Sequence, residues 1–146
     1  MHYLTIFGHE YRIDIYMFLY CIKRGDRIIM KRVLIVDDAD FMRISLKAML
    51  EKYKFEVVGE ASNGLEAIKM YNALRPDVVT MDITMPDMDG LEAMKIIKSI
   101  DKNAKVIMLS AMGQKTIVLK AITEGAAGFI VKPFNEAHVA ETLRKI

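Results

Sequence analysis

Four separated stretches of this 146-residue chain place a reactive side chain directly after an apolar run. Asp37 and Asp38 follow Val33-Leu34-Ile35-Val36, Asp82 follows the run ending at Met81, Ser110 follows Leu109, and Lys132 with Pro133 follows Val131. If these run ends meet in space, three carboxylates, a hydroxyl and an ammonium share one site. Neighbouring carboxylates repel and raise one another's pKa unless a cation neutralises them. Mg²⁺ is the natural counterion, because it takes oxygen ligands, keeps several waters, and needs only a few carboxylates plus phosphate oxygens. An aspartate held beside Mg²⁺ and a lysine is placed to attack a phosphoryl group, since both cations neutralise charge on the phosphoryl oxygens. The product of that attack is an aspartyl phosphate.

The elements that must position these groups are legible in the hydrophobic pattern from Lys31 onward. Val33 to Val36 is a continuous apolar run, as expected of a parallel strand covered on both faces. Phe41, Ile44, Ser45, Ala48, Met49 and Lys52 then recur at helical spacing. The alternation continues with strands at 56–59, 77–81, 105–109 and 128–131, and helices at 64–74, 91–100, 116–124 and 136–146. Five strands, each followed by a helix, predict a doubly wound α/β domain with right-handed crossovers. In such a sheet the functional surface lies beyond the carboxyl ends of the strands, where the reactive residues fall.

Composition narrows the partners. A hydrophobic fraction of 53% supplies a core and excludes a disordered chain. The net charge of +2 is too small to imply a nucleic-acid or membrane-surface partner. A single cysteine excludes an internal disulfide and a cysteine-rich zinc site, in keeping with a reducing cytoplasm. His2, His9 and His138 lack metal-ligand spacing and receive no role.

Residues 1–29 differ from the rest, holding six of the twelve aromatics. The apolar run from Ile13 to Ile22 has about ten residues against the ~20 a bilayer requires, and the segment lacks the layout of a secretory signal. Lys23-Arg24-Gly25-Asp26 can be encoded by AAAAGGGGTGAT, which is similar to a bacterial ribosome-binding site and lies just ahead of Met30. The expectation is a domain over 30–146 preceded by an extension, 1–29, that is upstream sequence read in frame. The competing reading is a genuine N-terminal arm with a hairpin or short helix.

Each motif also has a plain structural reading. Asp37-Asp38 alone would serve as a turn or helix cap, Pro86 and Gly90 as turn residues, and Lys132 as a surface lysine. Met81, Met85, Met88, Met108 and Met112 read as core and loop filler, since methionine adapts to irregular gaps. Joint occurrence at four strand ends is what favours function.

Asp37-Asp38, Asp82 within Met81-Asp82-Ile83-Thr84-Met85-Pro86-Asp87-Met88-Asp89-Gly90, Ser110-Ala111 and Lys132-Pro133-Phe134 together resemble the receiver domain of two-component response regulators, in the right order over residues 31–146. Thr80 to Pro86, Ser110 to Gln114 and the chain's end after the fifth helix make the single-domain chemotaxis members the nearest likeness. The resemblance implies a (βα)5 flavodoxin-like three-layer sandwich with parallel sheet order 2-1-3-4-5. It implies Asp82 as phosphoacceptor, Mg²⁺ held by Asp37, Asp38, Asp82 and the Thr84 carbonyl, and Lys132 on the phosphoryl group. Ser110 would bond to that group after transfer, and Phe129 would be the switch aromatic. A histidine kinase would be the donor, a flagellar motor switch protein the output partner, and a separate phosphatase the terminator. The protein would be a cytoplasmic monomer and a phosphoacceptor rather than an enzyme, with no nucleic-acid or membrane partner.

Two departures matter. Phe129 has no phenol oxygen, so a switch there depends on packing, and Met112 offers no hydrogen bond to an attacking water. Alternatives are a stand-alone receiver in another phosphorelay, a non-phosphorylated interaction module, and an aspartyl-phosphate phosphatase using Asp87-Met88-Asp89-Gly90. That last motif normally caps a strand, and Pro86 cannot donate to a central ladder, which favours Asp82 as the strand end.

Overall fold

The computed structural model describes residues 3–6, 9–12 and 30–146, and the chain divides into two units, Met1–Met30 and Lys31–Ile146. In the first, β1 (Tyr3–Ile6) pairs antiparallel with β2 (His9–Arg12). The rest of the predicted extension lies outside the described residues.

The second unit alternates strand and helix throughout. β3 (Arg32–Val36) leads to α1 (Asp40–Lys52), β4 (Glu56–Ala61) to α2 (Gly64–Leu74), and β5 (Val78–Met81) to α3 (Gly90–Ile100). β6 (Val106–Ser110) leads to α4 (Lys115–Thr123), and β7 (Gly128–Val131) to α5 (Glu136–Arg144). The strands are parallel in the order β4-β3-β5-β6-β7, which is 2-1-3-4-5 within the unit.

The two-residue side-chain period of β3 divides the core. Val33 and Ile35 join Leu46, Leu50, Val139 and Leu143 under α1 and α5. Leu34 and Val36 join Ala67, Tyr71, Met94 and Ile97 under α2 and α3. These twelve side chains are at most 2% exposed, and each large aliphatic one contributes about 1.5–3 kcal/mol by leaving water.

The inward face of α1 differs from the expected one. Of the expected stripe Met49 is buried, but Phe41 and Ile44 are 78% and 67% exposed, and Leu46 and Leu50 join Met49 against the sheet. The helix carries two apolar stripes at helical spacing, and the one holding Leu46, Met49 and Leu50 meets the complementary surface of β3 and α5. Strand β4 also runs past Gly59 to Ala61. A Cβ at Gly59 would lie 2.6 Å from the Met70 methyl and 2.9 Å from a Leu74 methyl, so α2 packs directly on the strand at this glycine.

Polar caps set the helix starts at the carboxyl edge. Asn63 Oδ1 accepts from the Glu66 N–H at 2.9 Å, Asp89 Oδ1 from the Glu92 N–H at 2.9 Å, and Asn135 Oδ1 from the Ala137 N–H at 2.9 Å. The opposite edge is latched: Lys31 Nζ donates to the carbonyls of Leu143 at 2.9 Å and Ile146 at 2.6 Å beyond α5.

Candidate functional site

The carboxyl edge collects the predicted residues. Asp37 and Asp38 lie just past β3 and Asp82 just past β5, the neighbouring strand, while Lys132 follows β7 at the far side. Oxygens of Asp37, Asp38 and Asp82 lie within 4.8 Å of one another. Lys132 Nζ reaches across to Asp37 Oδ2 at 2.8 Å and Asp82 Oδ2 at 3.5 Å. Asp37 is 2% and Asp82 8% exposed, whereas Asp38 is open to solvent. Three carboxylates thus face one ammonium, an excess of negative charge suited to a small hard cation.

The surroundings hold this geometry. Asp37 Oδ1 accepts from the Ala39 N–H at 2.9 Å, which fixes the turn into α1 where no side chain caps the helix. Arg43 donates to the Asp37 carbonyl at 2.6 Å, a supporting contact that sequence reasoning missed. It falls on the first turns of α1, but nothing in its spacing distinguishes it from a solvated arginine. The Asp82 N–H donates to the Val36 carbonyl at 2.9 Å, tying β5 to β3. Gly90 is more than a turn residue, because a Cβ there would sit 2.0 Å from the Asp82 carbonyl oxygen. Only glycine lets α3 begin so close to Asp82.

The Asp82 carboxyl is held above its ordinary range. Burial is the main cause, and Asp37 and Asp38 add to it. The Lys132 ammonium opposes it, as does a hydrogen bond from the Thr84 backbone. A carboxylate that is costly to keep charged, beside an ammonium and two further acids, gains by binding a cation or by becoming an acyl phosphate.

Two hydroxyls complete the edge. Ser110 is buried at the end of β6, and its Oγ accepts from the Met112 N–H at 3.1 Å. The Lys132 N–H donates to the Ser110 carbonyl at 2.9 Å, joining the loops that carry them. The Thr84 hydroxyl donates to Met112 Sδ at 3.4 Å. Met81, Met85 and Met108 are core residues as expected, but Met112 is exposed and engages both hydroxyl-bearing residues. Phe129 on β7 pairs in register with Met108 on β6 and packs half-buried against the α2–α3 side of the core. Asp87 and Asp89 stay apart from the cluster: Asp87 is an exposed loop residue with φ 67°, and Asp89 caps α3.

A flavodoxin-like sheet whose carboxyl edge gathers three acids, a serine and a lysine matches the features of a receiver domain. Residues 33–144 match the family described as the response regulator receiver domain, and the chain belongs to that family. Within it, the chain is most like chemotaxis proteins named CheY. It is 58% identical over 116 residues to chemotaxis protein CheY of Thermotoga maritima, covering 80% of this chain and 97% of the relative. Chemotaxis protein CheY of Bacillus subtilis is 56% identical over 114 residues, 78% of this chain and 95% of that protein. A chain in the crystal structure of the CheX-CheY-BeF3-Mg²⁺ complex from Borrelia burgdorferi superposes with a TM-score of 0.77 at 39% identity, covering 79% of this chain and 87% of that one.

Proposed function

We propose that this chain is a chemotaxis response regulator that accepts a phosphoryl group on Asp82 from a histidine kinase and signals through a flagellar motor switch protein. The observation that carries the reading is the meeting of Asp82 with Lys132 at 3.5 Å and with Asp37 and Asp38 within 4.8 Å. Asp37, Asp38, Asp82 and the Thr84 carbonyl would hold Mg²⁺, which supplies neutralisation of charge on the transferred group. Asp82 Oδ attacks phosphorus while the bond to the donor breaks, and the donor leaves with that electron pair. Lys132 is already placed to pair with a phosphoryl oxygen, and Ser110 keeps a proton to donate because its oxygen is accepting from Met112. The protein acts as a phosphoacceptor rather than as a turnover enzyme.

Hydrolysis of the acyl phosphate requires an oriented water, and positioning supplies much of the rate of such a step. With a thioether at Met112, intrinsic hydrolysis is slow and a separate phosphatase ends the signal. The complex of a related CheY with CheX supports a partner of that kind. The locations of Asp87 and Asp89 away from the acidic cluster argue against the phosphatase reading. The chain is read as acting in the cytoplasm as a monomer; among the described residues no helix is long and apolar enough to cross a membrane.

The testing experiment is incubation with Mg²⁺ and acetyl phosphate. A persistent base-labile label mapping to Asp82 is expected. Rapid turnover of the donor would support the phosphatase instead, and absence of label an interaction module. Kinase-dependent capture of partners from the source organism separates chemotaxis from another phosphorelay. We further infer that Met30 is the start of the native protein, a reading that rests on the ribosome-binding-site-like string that can encode Lys23-Arg24-Gly25-Asp26 just ahead of it. A native peptide lying before Met30 in mass spectrometry would refute this.

A further inference from the structure

Met112 differs from the other methionines near the site. Met81, Met85, Met94 and Met108 are buried, whereas Met112 is 37% exposed, and Met30 is the other exposed methionine among the described residues at 38%. Its backbone N–H occupies the Ser110 oxygen and its sulfur receives the Thr84 hydroxyl, so one residue bridges the loops after β5 and β6 at the mouth of the acidic cluster. A thioether is a weak acceptor, and it presents an apolar, oxidisable group at the place where a water would approach Asp82.

We propose that Met112 is a peroxide-sensitive modification site that sets the lifetime of the phosphorylated state. The inference rests on the phosphoacceptor reading of Asp82. The sulfur lone pair attacks one oxygen of hydrogen peroxide, an S–O bond forms as the O–O bond breaks, and after proton transfer the other oxygen leaves as water. Sulfur is oxidised by two electrons and the peroxide is reduced by two. The sulfoxide oxygen is a strong acceptor with two lone pairs, where the thioether was a poor one. One lone pair retains the Thr84 proton, and the second holds a water at the mouth of the site. Oxidation therefore converts an apolar cover into a water-positioning group and shortens the acyl-phosphate lifetime.

The test treats the full chain with hydrogen peroxide, maps oxidised methionines by peptide mass spectrometry, then labels with acetyl phosphate and Mg²⁺ and follows the decay. Met112 is expected to oxidise with Met30, ahead of the buried methionines. The half-life of the acyl phosphate should fall about fivefold, the effect of roughly one added hydrogen bond to the attacking water. Methionine sulfoxide reductase should restore it, and the half-life of Met112→Leu, whatever its starting value, should not respond to peroxide. Protection of Met112 equal to that of Met81, an unchanged half-life after its oxidation, or an equal peroxide response in Met112→Leu would each overturn the inference alone. Failure of untreated protein to label would overturn the phosphoacceptor reading and this inference with it.

Discussion

At the amino edge of the sheet Lys31 and Arg32 give their cationic groups to backbone carbonyls, Lys31 to Leu143 and Ile146 and Arg32 to Arg75 at 2.9 Å. The Arg32 N–H meets Asp77 Oδ2 at 2.7 Å. At the carboxyl edge Asp37 and Asp82 are buried and share the single Lys132 ammonium. Both edges belong to the same five strands. One matches each charge to dipoles or an opposite charge and closes the unit, and the other leaves negative charge in excess. The contrast teaches where this fold spends stability: the carboxyl edge holds an excess of negative charge that a bound cation would relieve.

The sharpest way to break the contrast is Asp82→Asn. Labelling by acetyl phosphate should disappear entirely, because an amide is not a nucleophile, and full labelling would remove Asp82 from the mechanism. The same variant should melt higher than the parent at neutral pH. Burial raises the Asp82 pKa above its ordinary 3.8, so its contribution to folding is fully present below the unfolded value and is lost as pH rises through the folded one. The gain in melting temperature should therefore be present at pH 7 without Mg²⁺ and vanish in acid.

A strong but partial effect is expected from Asp38→Ala, which removes the exposed member of the acidic cluster. Mg²⁺ affinity measured by titration should fall about 10- to 100-fold, at least the loss seen when groups supporting a metal site are removed. An unchanged affinity would mean that the excess charge serves something other than a cation. Ser110→Ala should still label at Asp82 but lose most of the gain in partner affinity on phosphorylation, a gain of roughly 5- to 150-fold for a coupling of this kind. Affinities with and without beryllium fluoride decide it, and an undiminished gain would exclude Ser110 from the switch. The mildest change is at the other edge. Lys31→Ala should lower stability by about 1–2 kcal/mol through loss of charge-assisted bonds to the α5 carbonyls, with labelling unaffected. A loss of labelling there would show that the two edges are not independent.

Much of this was readable from residue type and order. Asp37, Asp38, Asp82, Ser110 and Lys132 all sit at strand ends because continuous apolar runs mark parallel strands and the polar residue that ends such a run emerges at the edge. The orientation of α1 was only partly readable: Met49 belongs to the expected stripe, but Phe41 and Ile44 compete with Leu46 and Leu50 to flank it, and only the surface of β3 and α5 decides between them. The close approach of Gly90 to the Asp82 carbonyl is a contact between backbones, invisible in a pattern of side chains. The Met112 bridge likewise depends on two loops whose separation no spacing encodes.

The Lys31 latch has a consequence for the order of events on the ribosome. Its bonds to the Leu143 and Ile146 carbonyls join residues 112 and 115 positions apart. β3, made first in this unit, occupies the interior of the sheet, and α5, made last, packs beside α1 against it. At synthesis rates of about 5–20 residues per second the nascent strand waits several seconds for its final neighbour. A stop codon introduced within α5 would thus leave exposed not a distal tail but the flank of the oldest strand in the unit.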